Sequence, residues 1–165
     1  MNLYILRHGK ACARSPKWHP DGTRPLSREG EKKMFNVARG IQSLHLSFDL
    51  ILTSPYIRAF RTAEILAEVF ESKKVFETSN LVAEAEPKAV IDEINESFPE
   101  LSQIVLVGHE PFLSRLISIL LSGKDDVSTN LRKGGLCKLS VKKLSFGPCA
   151  TLEWLMTPRH LARLA

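Results

Sequence analysis

Short apolar runs alternate along this chain with longer segments of helical period, and this alternation restricts its fold more than any other feature. Residues 3–6 and 104–107 are continuous apolar runs, typical of strands buried on both faces of a parallel sheet. Residues 48–52 form a third run, and a helical pattern of apolar residues follows each of the three. Repeated strand–helix–strand units predict an α/β fold. We expect a three-layer α/β/α sandwich with right-handed crossovers and a mostly parallel central sheet.

The boundaries of several predicted helices are marked by capping residues. Ser27 is a predicted N-cap for a helix that continues to about residue 44, and Ser54 followed by Pro55 suits the N-cap and first position of the next helix. Gly123 is predicted to end a later helix. The remaining predicted elements are a short strand at 74–77 and helices at 87–98 and 111–121.

The last third of the chain has a different pattern. Residues 136–144 and 151–156 alternate apolar and polar side chains, which is typical of strands with one face towards solvent. Residues 145–148 join the two segments and include Gly and Pro. We therefore predict two antiparallel C-terminal strands beside the parallel core.

Length and composition limit the organisation of the protein. At 165 residues, with 44% hydrophobic and 25% charged residues, the chain suits a single folded domain over residues 1–165. No apolar run approaches the ~18 residues that span a bilayer, and the N-terminal run is too short for a signal peptide. Three cysteines without Cys-x-x-Cys spacing are typical of free thiols in a reducing compartment. We expect a cytoplasmic protein without a membrane partner, and a monomer is favoured.

Basic and imidazole side chains follow three of the predicted strands. Arg7, His8 and Gly9 end the first, Arg58 lies one turn into the helix after the second, and His109 follows residues 104–107. Ligands of open α/β sheets bind at the carboxyl ends of the strands. Two guanidiniums can hold a phosphoryl group, and a histidine kept neutral by them has a free ring nitrogen to act as a nucleophile. Gly9 allows close approach of the backbone to the ligand. The cluster predicts phosphoryl transfer through a phosphohistidine intermediate.

Other phosphatase and nucleotide-binding designs do not match the sequence. It contains no Cys-x5-Arg, Asp-x-Asp, Gly-x4-Gly-Lys-Ser/Thr or His-Glu-x2-His motif, and its five histidines are scattered. We therefore predict no metal and no other cofactor. Both ends of the chain are basic, which admits a nucleic-acid binder as an alternative, but no basic helical stripe is interleaved with aromatics. An anionic substrate is favoured, and no nucleic-acid partner is expected.

Several motifs resemble the histidine phosphatase superfamily, also called phosphoglycerate mutase-like, over nearly the whole chain. Within it, the sequence looks most like the small phosphohistidine phosphatases of the SixA type. The matching segments are Arg7-His8-Gly9, Arg24-Pro25-Leu26-Ser27 with Gly30, Ser54-Pro55-Tyr56-Ile57-Arg58-Ala59 with Thr62, Val107-Gly108-His109-Glu110-Pro111, and residues 152–158.

The resemblance implies a role for each matching residue. His8 would be the nucleophile that forms the covalent phosphohistidine, while Arg7, Arg58 and His109 would bind the phosphoryl oxygens. For the general acid, Glu84 and Glu86 both lie in the stretch where relatives have a carboxylate, and Glu84 aligns better, although Ala83 stands where relatives have proline. A phosphohistidine substrate needs a weaker acid because imidazole leaves easily once protonated.

Two further residues near these motifs leave alternatives open. Lys10 would either contact the substrate or face water. Arg24 would either reach the phosphate or stabilise its own loop.

The predicted function is removal of phosphate from a phosphohistidine on another protein, such as a phosphotransfer-type domain in signal transduction. A small-molecule or broad-specificity phosphomonoesterase of the same superfamily is the alternative within the enzymes. A phosphoprotein-binding module without turnover is the alternative outside them. It is less favoured because a site that only binds needs arginines but no nucleophile.

Overall fold

Six strands form one sheet at the centre of the computed structural model, which describes residues 1–72 and 74–165. The strands are β1 (Asn2–Arg7), β2 (Leu50–Thr53), β3 (Val75–Glu77), β4 (Gln103–Gly108), β5 (Leu136–Val141) and β6 (Ala150–Met156). Their order across the sheet is β3-β2-β4-β1-β5-β6. The first four are parallel, whereas β5 runs antiparallel to β1 and β6 antiparallel to β5. This arrangement confirms the predicted sheet.

Helices cover both faces of the sheet, as the three-layer prediction requires. They are α1 (Arg28–Gln42), α2 (Ile57–Phe70), α3 (Pro87–Ser97), α4 (Phe112–Ser122) and the short α5 (Pro158–Leu161). Successive side chains of a strand point to opposite faces. Tyr4 and Leu6 of β1 therefore pack with α1, α2 and α5, while Leu3 and Ile5 pack with α3 and α4. Each such buried apolar side chain contributes about 1.5–3 kcal/mol to folding.

The topology opens a crevice between β1 and β4. From β1 the chain continues through α1, on one face, to β2, whereas from β4 it continues through α4, on the other face, to β5. The two strands pair in parallel, with Arg7 opposite Gly108 at their carboxyl ends. Connections that diverge to opposite faces leave space above the ends of two neighbouring strands, and this is where such sheets bind ligands.

Most predicted boundaries agree with the structure, but α2 begins later than predicted. Ser27 does cap α1 by accepting a hydrogen bond from the Gly30 amide, and Gly123 ends α4 in the left-handed conformation. Ser54 is not an N-cap: its hydroxyl accepts from the Tyr56 amide and contacts His109, so the helix starts only at residue 57. The predicted placement of Ser54 and Pro55 at the start of α2 was therefore wrong.

The chain also leaves β5 earlier than the alternating pattern indicates. The strand ends at Val141, although the pattern extends to residue 144. Leu144 is buried, but it belongs to the connection, where its carbonyl accepts a hydrogen bond from the Asn95 side chain. None of the helices in the described part of the chain is long and apolar enough to cross a membrane.

Candidate active site

Four residues predicted to act on a phosphoryl group meet in the crevice at the carboxyl ends of β1 and β4. Arg7 and His8 lie at the end of β1, His109 directly follows β4, and Arg58 lies in the first turn of α2. The His8 amide donates to the Gly108 carbonyl at 3.2 Å, and the His8 and His109 rings are 4.9 Å apart. All four side chains line one cavity of about 550 Å³.

His8 is held in one tautomer with one ring nitrogen available. Its Nδ1 lies 2.7 Å from the Gly9 carbonyl, and because a carbonyl only accepts, Nδ1 carries the proton. The lone pair is then on Nε2, which bonds to none of the described residues. Burial, with the nearby His109 and the two arginines adding to it, lowers the His8 pKa to about 2. The side chain, 6% exposed, is therefore neutral near pH 7.

His109 is the more deeply buried of the two histidines, at 2% exposure. Its Nε2 lies 2.9 Å from the Ser54 hydroxyl, while its Nδ1 is buried and has no partner among the described residues. Burial, followed by the charge of Arg58, lowers its pKa to about 3. His109 is thus neutral near pH 7 and has a ring nitrogen with unused hydrogen-bonding capacity.

Both guanidiniums of the site are anchored at one end and unpartnered at the other. Arg58 donates from Nη1 to the Asp21 carbonyl at 2.8 Å, and its Nη2 lies 2.9 Å from the Asp21 carboxylate. Arg7 donates from Nη1 to the Leu131 carbonyl at 2.9 Å. The Nε of each arginine is buried without a partner. These two nitrogens and Nδ1 of His109 are the unpartnered buried side-chain polar atoms found over residues 1–72 and 74–165.

Asp21 organises the arginines of the pocket and was not singled out from the sequence. Besides Arg58 it binds Arg24, whose Nε donates to the carboxylate at 2.9 Å. Arg24 also donates from Nη1 to the Cys12 carbonyl at 3.0 Å. It therefore stabilises its own loop and also lines the pocket. The hydrogen bond from Arg24 is the main cause that lowers the Asp21 pKa. The spacing of three residues between Asp21 and Arg24 is the one sequence signal of this pairing.

The remaining predicted residues lie at the edge of the pocket or behind it. Lys10 lines the pocket but is half exposed and bonds to Glu29 at 2.6 Å. Glu84 is exposed and lines the pocket near Tyr56, whose pKa is raised by burial and then by the Glu84 charge. Gly9 lies behind the pocket, where its amide donates to the Thr62 hydroxyl at 3.1 Å. Further lining residues that sequence reasoning missed are Tyr56, Glu110 and Lys133.

Gly9 is required by packing as well as by its position after His8. A Cβ at this position would lie 2.5 Å from Cγ of Met34, which is buried in α1. We expect Gly9→Ala to lower the free energy of unfolding by about 1–3 kcal/mol because the added methyl group overpacks the core. Urea denaturation measures the loss. In a double-mutant cycle with Met34→Ala, the Gly9→Ala cost should shrink; an undiminished cost would contradict the steric cause.

The lowered pKa values of the two histidines predict loss of stability in acid. Since the folded-state pKa values (about 2 for His8 and about 3 for His109) lie below the ordinary 6.5, the unfolded state binds more protons below pH 6.5. Stability should fall by about 1.4 kcal/mol per histidine for each pH unit between 6.5 and the folded-state pKa of that histidine. Urea denaturation at several pH values tests this. His8→Gln should reduce the slope by one histidine's share, and the exposed His160→Gln should leave it unchanged.

The sequence and fold place this site among known proteins. The profile of the histidine phosphatase superfamily (branch 1) matches residues 3–85. An uncharacterized protein of Picosynechococcus is 38% identical over 143 residues, covering 84% of each chain. A phosphohistidine phosphatase SixA homolog of Haemophilus influenzae is 28% identical over 138 residues, covering 78% of this chain and 82% of the relative.

Solved structures share the fold over almost the whole chain. The protein histidine phosphatase SixA complexed with tungstate superposes with a TM-score of 0.85 at 20% identity, covering 98% of this chain and 99% of that one. Other solved structures with the same fold include a putative α-ribazole-5′-P phosphatase from Escherichia coli and a phosphoserine phosphatase from Entamoeba histolytica. The chain therefore belongs to the histidine phosphatase superfamily, and this membership supports phosphatase activity. Within the superfamily, a SixA homolog among the relatives and a solved SixA structure are similar to this chain.

Proposed function

We propose that this protein hydrolyses phosphohistidine on another protein, with His8 as the nucleophile. The observation that carries the proposal is the geometry around His8 Nε2. Among the described residues that nitrogen has no hydrogen-bond partner, and neither have three buried nitrogens of the residues beside it: Nε of Arg7, Nε of Arg58 and Nδ1 of His109. A buried polar group without a partner is costly, and a bound phosphoryl group supplies oxygens that satisfy all three.

The reaction proceeds in two displacements. In the first, His8 Nε2 attacks phosphorus while the P–N bond to the substrate imidazole breaks, and that imidazole leaves neutral because its other nitrogen has taken a proton. In the second, water attacks phosphorus, the P–N bond to His8 breaks, and hydrogen phosphate leaves with one proton of the water. The other proton passes to solvent and replaces the one taken up by the leaving imidazole. Arg7, Arg58 and the His109 ring stabilise the charge on the transferring group. The Gly9 carbonyl keeps the proton on Nδ1 throughout, so each cycle regenerates the same tautomer.

The protein substrate is supported by the SixA-type relatives, and the chemistry of the site is consistent with it. Glu84, the candidate general acid, is exposed, and no cation among the described residues forms an ion pair with its carboxylate. A phosphoester releases an alkoxide that needs a strong acid, whereas a protonated imidazole does not. A site whose candidate acid is exposed and lacks a cationic partner among the described residues therefore favours phosphohistidine over a phosphomonoester.

The test is phosphate release from a phosphohistidine-bearing phosphotransfer domain, with and without a metal chelator. We expect release at the same rate in both, since every proposed role is filled by a protein side chain. Over residues 1–72 and 74–165, no three His, Cys, Asp or Glu side chains cluster as a metal site would require. Loss of activity with the chelator, restored by a divalent cation, would contradict metal independence. No release under any condition would contradict the phosphohistidine assignment.

A small-molecule phosphomonoesterase is the second candidate, because solved structures of this fold include such enzymes. The pocket of about 550 Å³ is large enough for a small phosphoester. A panel of phosphosugars, phosphoserine and nucleotide monophosphates distinguishes the two. A kcat/KM for any of them above that for the phosphoprotein would decide for the second candidate.

Glu84→Gln separates the two kinds of substrate within one experiment. We expect release from phosphohistidine to change by less than about 3-fold, and hydrolysis of a phosphomonoester to fall by about 10²-fold, because only the alkoxide needs a proton from an acid. Glu86→Gln is the matched control. Glu86 bonds to Arg115 at 2.8 Å and does not line the pocket. An equal loss on both substrates would assign Glu84 to binding rather than to acid catalysis.

A further inference from the structure

A second cavity of about 460 Å³ adjoins the active-site pocket and is lined by cations. Its charged side chains, besides Arg7, are Lys10, Lys33, Arg132 and Lys133, and we call it the cationic groove. No acidic residue and no aromatic residue lines it among the described residues. Arg7, Lys10 and Lys133 line both cavities, so the groove is continuous with the site that contains His8.

The positive charge of the groove is only partly neutralised within the chain. Glu29 pairs with both Lys10 and Lys33, which leaves one excess charge among the three. Arg132 and Lys133 are exposed and form no ion pair in the described part of the chain. Partial burial and then the neighbouring cations, Arg7 first, lower the Lys133 pKa. The groove therefore presents an uncompensated positive field to an approaching molecule.

The groove is also fixed in position relative to His8. The Gly134 amide donates to the carbonyls of Arg7 at 2.9 Å and His8 at 3.2 Å. Arg7 in turn donates to the Leu131 carbonyl at 2.9 Å. Residues 131–134, which carry Arg132 and Lys133, are thus tied to the end of β1 on both sides. A partner held by these cations would have a defined placement over the active site.

We propose that the cationic groove docks an acidic surface of the protein that carries the phosphohistidine. The inference rests on the proposed function. When the phosphohistidine of a partner reaches His8, the partner's surface around that phosphohistidine lies against the rim of the pocket. The cationic groove adjoins this rim and carries uncompensated positive charge. Complementary charge accelerates encounter and selects the partner. A nucleic acid has the same sign of charge, but the groove offers no aromatic ring on which bases could stack.

The test compares two synthetic phosphohistidine peptides that differ only in flanking residues, aspartates in one and glutamines in the other. Lys33→Glu/Arg132→Glu changes the groove without touching the active-site pocket, which neither residue lines. Lys142→Glu/Lys143→Glu is the matched control. It makes the same change in net charge. Lys142 and Lys143 directly follow β5, whose last residue, Val141, donates its amide hydrogen to Met1, at the opposite end of β1 from the site.

We expect wild-type kcat/KM to be about 10-fold higher for the acidic peptide at low salt, and this preference to disappear in the groove variant but not in the control. Fluorescence anisotropy with the unphosphorylated peptides should show the same preference in binding. Equal binding of both peptides, or an unchanged preference in the groove variant, would overturn the proposal. So would tighter binding of a DNA duplex than of the acidic peptide. If the protein binds the acidic peptide preferentially but releases phosphate from neither phosphohistidine peptide, that result would instead contradict the proposed function.

Discussion

His8→Ala is expected to abolish phosphate release, with a loss of at least about 10³-fold in turnover. Removal of a nucleophile eliminates the covalent route, and what remains is the small contribution of the pocket to direct attack by water. The variant keeps Arg7, Arg58 and His109, so it should still bind phosphate analogues such as tungstate. Rapid-quench measurement with labelled phosphoprotein reports both steps. Wild type should show a protein-bound phosphoryl group that is labile in acid and stable in base, and the variant none.

The control for this loss is a histidine outside the site. His160 is exposed at the end of the chain, and His160→Ala should retain full turnover. Circular dichroism and urea denaturation establish that His8→Ala is folded; removing a buried histidine should in addition flatten the acid dependence of its stability. Substantial residual turnover in folded His8→Ala, within about 10-fold of wild type, would exclude His8 as the nucleophile.

Arg58→Lys should have the second-largest effect, lowering kcat/KM by about 10²–10³-fold. A lysine keeps the positive charge but lacks the planar fork that donates two parallel hydrogen bonds. It also cannot fill the place of a guanidinium that bonds to both the backbone and the carboxylate of Asp21. Steady-state kinetics together with tungstate affinity measure the effect. We expect both kcat and tungstate binding to fall, because the same donors bind the ground state and the transition state.

Arg61 is the matched control for Arg58, one turn further along α2. It pairs with Glu31, Glu64 and Glu68 on the outside of the helix and does not line the pocket. Arg61→Lys should change stability by less than about 1 kcal/mol, as partly exposed ion pairs do, and leave kcat/KM unchanged. Equal losses of activity in the two variants would mean that helix stability, not phosphate binding, explains the Arg58 effect.

The sequence predicts the sheet and the four central site residues because both follow from local rules. Continuous apolar runs identify buried parallel strands, and chemistry-bearing residues directly after such runs must meet at one edge of the sheet. Arg7, His8 and His109 satisfy this rule. Arg58 lies in the first turn of the helix that begins just beyond β2, and it therefore reaches the same edge of the sheet. Their common placement could be derived without a structure; their chemical roles remain predictions that the variants above test.

What could not be predicted depends on irregular segments and on contacts across the fold. Asp21 lies in a single 3₁₀ turn between β1 and α1, where no apolar period indicates the direction of its side chain. Ser54 followed by proline is a good local N-cap, yet its hydroxyl contacts His109, a partner 55 residues away that sequence spacing does not reveal. A tertiary contact overrides a local preference there, as such contacts commonly do.

The carboxylate that binds Arg58 has a consequence for product release. Under the proposed function, departure of inorganic phosphate would not leave the buried Arg58 guanidinium as an unpaired charge, because it already pairs with Asp21. The protein thus contains its own competitor for the anion-binding site. Under the proposed function, this competition would weaken the binding of phosphate after hydrolysis and so limit inhibition by the product.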